Sequence, residues 1–316
     1  MKLVLQLILI SSPILFFNSC GNEKNHTAQE TVESEYSSLY KSLDTLYKNR
    51  WNNKISYYLY KPRSWNVYNE IMNRFGIQAA DIVAAINRVD KNNLRGRDTI
   101  VIPDTFLTDP RNYSPFPFFE ELAKNIPKLI LVSQRIQSYA LYEYGCLIKW
   151  GAVSSGKKRT PTPNGLFSTN WKSKETISTV NEEWLLKWYF NVENFEGVSL
   201  HQYELPGYPA SHACVRLTEA DAKFIYNWAE QWILTSDEED IMAFGTPVII
   251  WGEYDYENPK VWKKLESDPD AAKVSENEIK ELLAENLILI LIRQQVREMV
   301  LRTKYVQEQK YIVLNK

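Results

Sequence analysis

The spacing of apolar residues divides the 316-residue chain into segments of different character. A short apolar run occupies residues 3–17, and a polar stretch without apolar periodicity follows it. Helix-like spacing gives way to a β-rich run between residues 64 and 104, and further β-rich runs occupy residues 128–253. Apolar residues return at helical spacing over residues 275–304. The pattern predicts an α+β protein whose central domain is β-rich.

The central segment, residues 128–253, contains most of the predicted strands. Apolar and β-branched runs between turn residues predict strands at 129–132, 138–144, 147–154, 166–168, 185–192, 198–201 and 247–251. One helix lies between them, because Thr218 and Asp221 form a capping box ahead of an apolar stripe. That stripe contains Ala222, Ile225, Tyr226, Ala229, Trp232 and Ile233.

Four further segments complete the predicted organisation. Residues 20–63 are polar and rich in Ser and Glu, which is typical of a flexible tether. Residues 64–104 predict a compact unit with two helices and a β-rich end. Residues 105–127, with Pro110, Pro115 and Pro117, predict a linker with a short helix at 118–124. Residues 254–316 form a C-terminal extension, whose amphipathic helix is expected to pack on the central domain.

The N-terminus has the features of an export signal. Lys2 precedes an apolar run shorter than the roughly 20 residues that span a membrane, as in a secretory signal peptide. The run ends at Ser19, Cys20 and Gly21, which resembles the lipobox of bacterial lipoproteins. The resemblance implies a signal peptide at residues 1–19, lipidation of Cys20, and a membrane-anchored lipoprotein on the periplasmic side of the cell envelope. An ordinary cleaved signal is the alternative.

Residues 64–104 resemble a LysM repeat, a small βααβ module that binds glycans containing N-acetylglucosamine. The matching residues are Phe75, Gly76, Ile77, Asp81, Ile82, Asn87, Leu94, Gly96, Ile100, Val101, Ile102 and Pro103. The usual opening strand is indistinct at residues 65–68. The resemblance implies glycan binding, and a helical spacer without a ligand is the alternative.

Composition restricts the chemistry. The chain has 3 His, 3 Cys and a formal net charge of −2. So few His and Cys exclude a small disulfide-rich scaffold and leave almost no ligands for a metal cluster, so we expect neither metal nor cofactor. A near-neutral charge argues against nucleic acid as a partner. Hydrophobic residues make up 44% of the chain, which excludes disorder over most of its length.

Reactive residues are concentrated in one segment, where His201, His212 and Cys214 lie within fourteen residues. A cysteine attacks a carbonyl as the thiolate, and its free pKa is about 8.5. A nearby His can take the proton, and the resulting ion pair keeps the thiolate populated. Cys214 follows a loop and precedes the helix capped at Thr218, so backbone N–H groups of this turn can form an oxyanion hole. These are the components of acyl transfer through a thioester.

This segment resembles the catalytic motif of the L,D-transpeptidases, which have a YkuD-type domain. The motif is a His, a loop, and Ser-His-Gly-Cys followed by an apolar residue and usually Arg. Its counterpart here is His201, then Ser211, His212, Ala213, Cys214, Val215 and Arg216. Further matches lie at residues 154–157, 160–165, 205–210 and 245–248, so the resemblance covers roughly residues 128–252.

The resemblance implies roles for individual residues. Cys214 would be the nucleophile, with its N–H in the oxyanion hole, and His201 would be the base. His212 would help to order the cysteine loop, together with Ser211 and Ala213. Arg216 would hold this loop or pair with a substrate carboxylate.

The resemblance also implies the reaction of a cysteine acyltransferase acting on peptidoglycan stem peptides. The thiolate would attack the tetrapeptide stem between its third residue and D-Ala. An amine would resolve the thioester, giving a 3→3 cross-link when it belongs to a neighbouring stem. Water as acceptor would make the protein an L,D-carboxypeptidase. Carbapenem acylation of Cys214 is also implied.

Two positions depart from the motif of the family. Ala213 replaces the usual Gly, and Gln202 replaces a frequent Gly after the first His. If the Gly of the motif adopts a positive φ, Ala213 costs on the order of 1 kcal/mol. Neither departure removes a reacting group.

Other interpretations of the same residues stay open. Cys214 can be an inert buried cysteine. It can also ligate zinc with His201 and His212, although the spacing is unusual and no fourth ligand is obvious. Arg216 can be only a structural ion-pair partner. For the whole protein, the alternative is a non-catalytic envelope lipoprotein that binds peptidoglycan, and the intact pair of His201 and Cys214 favours the enzyme.

Overall fold

The computed structural model describes residues 55–96, 98–178, 185–195 and 197–314. All of them belong to one compact unit. The predicted signal peptide, Cys20 and most of the predicted tether lie outside the described residues. No helix in the described ranges has both the length and the apolar character needed to cross a membrane.

Strands and helices follow one another along the chain in three groups. The N-terminal part contains β1 (Tyr57–Tyr60), α1 (Val67–Phe75), α2 (Ile77–Ile86) and β2 (Ile100–Pro103). The central strands are β3 (Leu129–Ser133), β4 (Ser138–Glu143), β5 (Cys146–Ala152), β6 (Gly165–Ser168), β7 (Lys172–Ile177), β8 (Leu185–Glu193), β9 (Val198–Gln202) and β10 (Val215–Leu217). Then come α3 (Glu219–Trp228), β11 (Ile233–Leu234), β12 (Ile241–Ala243), β13 (Pro247–Trp251) and α4 (Glu276–Leu314).

Two larger sheets form the centre of the molecule. The first has the strand order β5-β4-β3-β13-β6, and only β3 and β13 are parallel. The second has the order β10-β9-β8-β7, with β9 and β10 parallel. Mixed sheets and flanking helices make this an α+β fold, as the apolar pattern predicts.

The first sheet is buried on both faces, which explains the continuous apolar run of β3. Ile130 and Val132 pack in a core shared with the second sheet and α3. Leu129 and Leu131 point the other way, into a core that also contains residues of the N-terminal part and of α4. Alternate residues of a strand face opposite sides of its sheet, so a strand covered on both sides is apolar throughout.

The structure departs from the predicted elements where sequence signals are weak. Strand β7 reads Lys-Ser-Lys-Glu-Thr-Ile and lies at a sheet edge, so it lacks an apolar pattern. Helix α3 ends at Trp228, so Trp232 and Ile233 lie beyond it. Residues 118–124 contain only a 3₁₀ turn at Glu121–Ala123. Helix α4 extends ten residues past the predicted end at residue 304.

The N-terminal part has the order strand, helix, helix, strand. Strands β1 and β2 pair antiparallel, from Tyr57 opposite Pro103 to Tyr60 opposite Ile100. Strand β1 lies within residues 20–63, predicted as tether, and starts before the predicted unit boundary at residue 64. It is an edge strand without apolar alternation, with Tyr58 and Leu59 exposed, so its sequence gives no strand signal.

Arg88 joins this part to the rest of the molecule. Its side chain is 2% exposed, and its Nε donates to Ile136 O at 2.7 Å. Its Nη1 donates to Ala85 O and Ile86 O, at 2.7 and 3.0 Å. The guanidinium also lies over the indole rings of Trp150 and Trp262, 5.7 and 5.4 Å from their centroids. Burial lowers the pKa of Arg88 to about 9.

Helix α4 packs against the central domain along part of its length. Ile279, Leu283 and Ile290 enter the core beside the first sheet. Trp251 Nε1 donates to Glu278 Oε1 at 2.9 Å, and Arg297 Nη1 donates to two loop carbonyls. The helix therefore covers the face of the first sheet that lies away from the second sheet.

Candidate active site

The pairing of β9 with β10 brings the reactive residues together. Arg216 lies opposite His201 in this parallel pair, and Cys214 immediately precedes β10. Alternation along the two strands puts Ser199 and His201 on the same face as Cys214 and Arg216. The structure thus inserts the short strand β10 where the sequence predicts a direct turn into helix α3. Three residues are too few for a recognisable strand pattern.

The thiol of Cys214 is held by its neighbours on the same face. Ser199 Oγ donates to Cys214 Sγ at 3.3 Å, and Sγ donates to Gly197 O at 3.5 Å. A thiol has one proton, so transfer to His201 requires this proton to leave Gly197 O. Ser199 therefore orients the sulfur of Cys214, while the thiol proton remains available for transfer.

The imidazole of His201 is held in one orientation and one tautomer. Its Nδ1 lies 2.9 Å from Gln202 O, and a carbonyl oxygen can only accept a hydrogen bond. Nδ1 therefore carries the proton, and the lone pair is on Nε2. The ring is 4% exposed, is stacked with Tyr189 at a centroid distance of 6.3 Å, and meets Tyr203 edge-on at 6.2 Å. Packing and tautomer together prepare Nε2 to take a proton.

Burial acts on both reacting groups. Burial lowers the pKa of His201 to about 4. The hydrogen bond to Gln202 O raises this pKa, and the positive charge of Arg216 lowers it further. Burial also raises the pKa of the Cys214 thiol, although Ser199 and Arg216 oppose this. Both groups are therefore neutral at pH 7. Burial thus opposes the expected resting ion pair of thiolate and imidazolium, because a buried site disfavours both charges.

The depressed pKa of His201 predicts a pH-dependent stability. Unfolded His has a pKa of about 6.5, so between pH 6.5 and 4 the unfolded chain takes up a proton that the folded protein does not. The contribution of His201 to the free energy of unfolding is therefore fully present above pH 6.5 and is lost as the pH falls towards 4. We expect wild type to lose about 3 kcal/mol more than His201→Gln between pH 7 and pH 4, measured by urea unfolding. Equal losses in the two proteins would contradict the assignment.

The cysteine loop is fixed from the β5–β6 connection. Thr162 Oγ1 donates to Ala213 O at 2.8 Å and accepts from Gly156 N at 2.8 Å. Ser211 Oγ donates to Cys214 O, and Ser211 N donates to Ser155 O at 3.0 Å. A Cβ on Gly156 would lie 2.2 Å from Thr160 O, so only glycine fits. These contacts join Ser211 to Cys214 at the end of the cysteine loop and to Ser155 in the β5–β6 connection.

Ala213 adopts the backbone conformation that makes its departure from the motif costly. Its φ is 79°, in the left-handed region that favours glycine. Ala213 therefore has the positive φ at which alanine is less favourable than glycine. The strain lies directly before Cys214.

We expect Ala213→Gly to raise the free energy of unfolding by about 0.5–1 kcal/mol. Relief of left-handed strain contributes about 1–2 kcal/mol, and the larger entropy of glycine in the unfolded chain removes about 0.4–1 kcal/mol. Ala210 lies just before the cysteine loop and does not have a positive φ. Ala210→Gly should therefore lower the free energy of unfolding. Chemical unfolding of both variants tests this, and a change of the same sign would contradict it.

Two cationic side chains, Lys157 and Arg216, act on His212. Lys157 Nζ lies 2.7 Å from His212 Nε2, so the ammonium donates to the ring. Partial burial, Lys157 and Arg216 all lower the pKa of His212. The Arg216 guanidinium lies 4.4 Å from the centroid of Tyr203. No ion pair of Arg216 with a carboxylate occurs within 4 Å among the described residues, which disfavours a purely structural ion pair.

Metal binding finds no support in the site's geometry. In the ranges that the structure describes, no three His, Cys, Asp or Glu side chains are grouped to hold an ion. Nδ1 of His201 is committed to a carbonyl, and Nε2 of His212 is bonded to Lys157. Among these three residues the hydrogen bonds leave Nε2 of His201 and the thiol of Cys214 as the groups nearest to chemistry on the shared face. Cys146, predicted in the core, is half-buried at the start of β5.

Sequence reasoning missed several residues of the site. Ser199 lies two positions before His201, and the alternation of β9 is a signal that could have found it. Thr162 and Lys157 lie in matched motifs, but their contacts run to residues 51 and 55 positions away. Tyr189 comes from β8 and has no local signal.

Comparisons with known proteins find several similar solved structures and one family model. Solved structures that resemble it include L,D-transpeptidases from Mycobacterium smegmatis (18% identity, TM-score 0.32, 40% of this chain and 59% of that chain) and Stackebrandtia nassauensis (20%, 0.35, 59% and 77%). An Enterococcus faecium L,D-transpeptidase mutant is 21% identical, with TM-score 0.32, covering 49% of this chain and 56% of that chain. The chain thus spans less than two thirds of the first of these. No curated protein matches it significantly. Residues 127–250, which contain the whole site, match the family model of the L,D-transpeptidase catalytic domain, YkuD.

Proposed function

We propose that the protein is a peptidoglycan L,D-transpeptidase that works as a cysteine acyltransferase. The observation that carries the proposal is the shared face of β9 and β10, which presents the thiol of Cys214 together with His201, whose Nδ1 donates to Gln202 O so that its lone pair is on Nε2. The match of residues 127–250 to the catalytic-domain model supports the same assignment. A thiol and a base on one face suit acyl transfer through a thioester.

The proposed first half-reaction forms an acyl-enzyme. His201 Nε2 takes the proton of the Cys214 thiol as sulfur attacks the carbonyl carbon of the third stem residue. The N–H of Cys214 stabilises the oxyanion of the tetrahedral intermediate. The intermediate collapses, the peptide bond to D-Ala breaks, and the imidazolium gives its proton to the leaving amine. A thioester and free D-Ala result.

The second half-reaction transfers the acyl group. The acceptor amine attacks the thioester carbonyl while His201 takes its proton, and the thiol is restored as leaving group. An amine of a neighbouring stem gives a 3→3 cross-link, and water gives L,D-carboxypeptidase action. Because both reacting groups rest in the neutral state, His201 acts as a general base within each step.

Lys157, His212 and Arg216 form the proposed electrostatic environment of the stem peptide. Arg216 stacks on Tyr203, which leaves guanidinium N–H groups to donate to a carboxylate of the stem. Lys157 adds a second positive charge beside His212. Stem peptides carry carboxylates close to the scissile bond, so the charges are complementary.

We further propose that the N-terminal part is a LysM-like module that binds the glycan of peptidoglycan. A cavity of about 660 Å³ supports this. Apart from Leu94, its lining consists of aromatic, amide and charged side chains, the types that bind sugars through ring faces and hydrogen bonds: Trp65, Asn66, Tyr68, Asn69, Lys91, Asn92, Arg95 and Glu204. A lipid anchor at Cys20 would hold both sites at the periplasmic side of the envelope.

The test is incubation with tetrapeptide muropeptides followed by chromatography and mass spectrometry. We expect release of D-Ala with a dimer for cross-linking, or with a tripeptide alone for carboxypeptidase action. Cys214→Ala should release none, while Cys146→Ala, which changes a cysteine outside the site, should match wild type. D-Ala release by Cys214→Ala, or none by wild type, would refute the proposal.

A further inference from the structure

The loop between the two halves of the site is attached to the N-terminal part. Residues 203–210 connect His201 on β9 to Ser211, the start of the cysteine loop. Leu205 N donates to Asp90 Oδ2 at 2.7 Å, and Asp90 N donates to Leu205 O at 3.3 Å. Val89 and Pro206 form an antiparallel bridge beside this pair. The two segments are 115 residues apart in the chain, so the fold creates the junction.

The Asp90 carboxylate is itself held rigidly. Oδ1 accepts from Asn92 N at 2.8 Å and from Asn93 N at 2.9 Å. Oδ2 accepts from Asn93 Nδ2 at 2.9 Å, in addition to Leu205 N. All four partners are donors, so the carboxylate is required as an acceptor on both oxygens. The amide of an asparagine at this position would place its NH₂ group against the N–H donors that bind one of the two carboxylate oxygens.

The connecting loop is also restrained on its other side. Ser154 Oγ donates to Tyr208 O at 2.7 Å and accepts from Ala210 N at 3.1 Å. Gly207 has φ +84°, and a Cβ there would lie 3.1 Å from Val89 Cγ1. The loop is thus clamped between the central domain and the Asp90 segment, with one end at the base and the other at the nucleophile.

We infer that Asp90 is a positioning residue for acylation: its hydrogen bond to Leu205 holds the loop that sets Cys214 relative to His201. This inference rests on the proposed function. Small displacements of reacting groups have large effects on rate, so a contact outside the site can control the acylation step.

Asp90→Asn tests the inference, with Asp81→Asn as the matched control. Asp81 accepts from Tyr68 Oη at 2.6 Å within the N-terminal part, so the same chemical change there leaves Leu205 held. The full-length variants are titrated with a carbapenem, and stopped-flow mass spectrometry separates non-covalent affinity from the limiting acylation rate. Hydrogen exchange of residues 203–210 is measured in parallel.

For Asp90→Asn we expect an about tenfold lower limiting rate at Cys214 with little change in non-covalent affinity, and faster exchange in residues 203–210 but not in β9. Asp81→Asn should show neither effect. Wild-type rate or exchange in Asp90→Asn, or equal effects in both variants, would overturn the inference. If the wild-type protein forms no adduct, the proposed function fails. If wild type and Asp90→Asn are acylated at the same rate, only the positioning role of Asp90 fails.

Discussion

Replacing His201 by Gln is expected to lower the rate of Cys214 acylation by about 10³-fold at pH 7. The pKa of the thiol is raised by burial, so little thiolate forms without a base. His201 presents its Nε2 lone pair because Nδ1 donates to Gln202 O. Gln has no basic nitrogen to replace it. Time-resolved intact-mass measurement with a carbapenem gives the rate constant.

His212→Gln is the matched control, since it makes the same change at the other histidine of the segment. His212 is bonded to Lys157 rather than poised as the base, so its loss should cost less than the loss of His201. The residual rate of His201→Gln should also rise with pH as the thiol ionises. Equal losses in the two variants, or a wild-type rate in His201→Gln, would contradict the role of His201 as base.

Replacing Arg88 by Ala is expected to lower the free energy of unfolding by about 4 kcal/mol. The substitution would leave the carbonyls of Ile136, Ala85 and Ile86 without these donors. It would also open a cavity between the buried indoles of Trp150 and Trp262. Because Arg88 connects the N-terminal part with the central sheet and the C-terminal extension, the whole unit should unfold at lower denaturant concentration.

Arg74→Ala separates this effect from the loss of an arginine in general. Arg74 is exposed, and its guanidinium lies 4.8 Å from the centroid of Phe75, so it makes a cation–π contact in water. Its removal should change stability by no more than about 0.5 kcal/mol. Urea unfolding of both variants decides the point, and equal midpoints would contradict the bridging role of Arg88.

Sequence reasoning predicted what local patterns encode. Strands β3 and β13 are continuous apolar runs because both faces of their sheet are covered, and the pattern places them within a residue of their observed ends. The N-cap of α3 is also local, since Thr218 Oγ1 accepts from Asp221 N. The Asp221 carboxylate, however, pairs with Lys149 Nζ at 2.9 Å. The proposed nucleophile and base could be singled out because they lie within one short segment of the chain.

The remaining features depend on contacts between distant segments or on exposed edges. The bonds from Lys157 to His212 and from Leu205 to Asp90 join residues far apart in the chain, without periodicity to indicate them. Strand β1 is exposed on two of its four residues and carries no apolar alternation. The ionisation states of His201 and Cys214 follow from burial, which residue types alone do not specify.

The most direct test of the proposed chemistry is site-resolved mass spectrometry after reaction with a carbapenem. We predict one covalent adduct per wild-type molecule, located by peptide mapping on Cys214, and the same adduct in Cys146→Ala. We predict no adduct in Cys214→Ala. An adduct that persists in Cys214→Ala, that maps to Cys146, or that fails to form in wild type would contradict the assignment of Cys214 as the nucleophile.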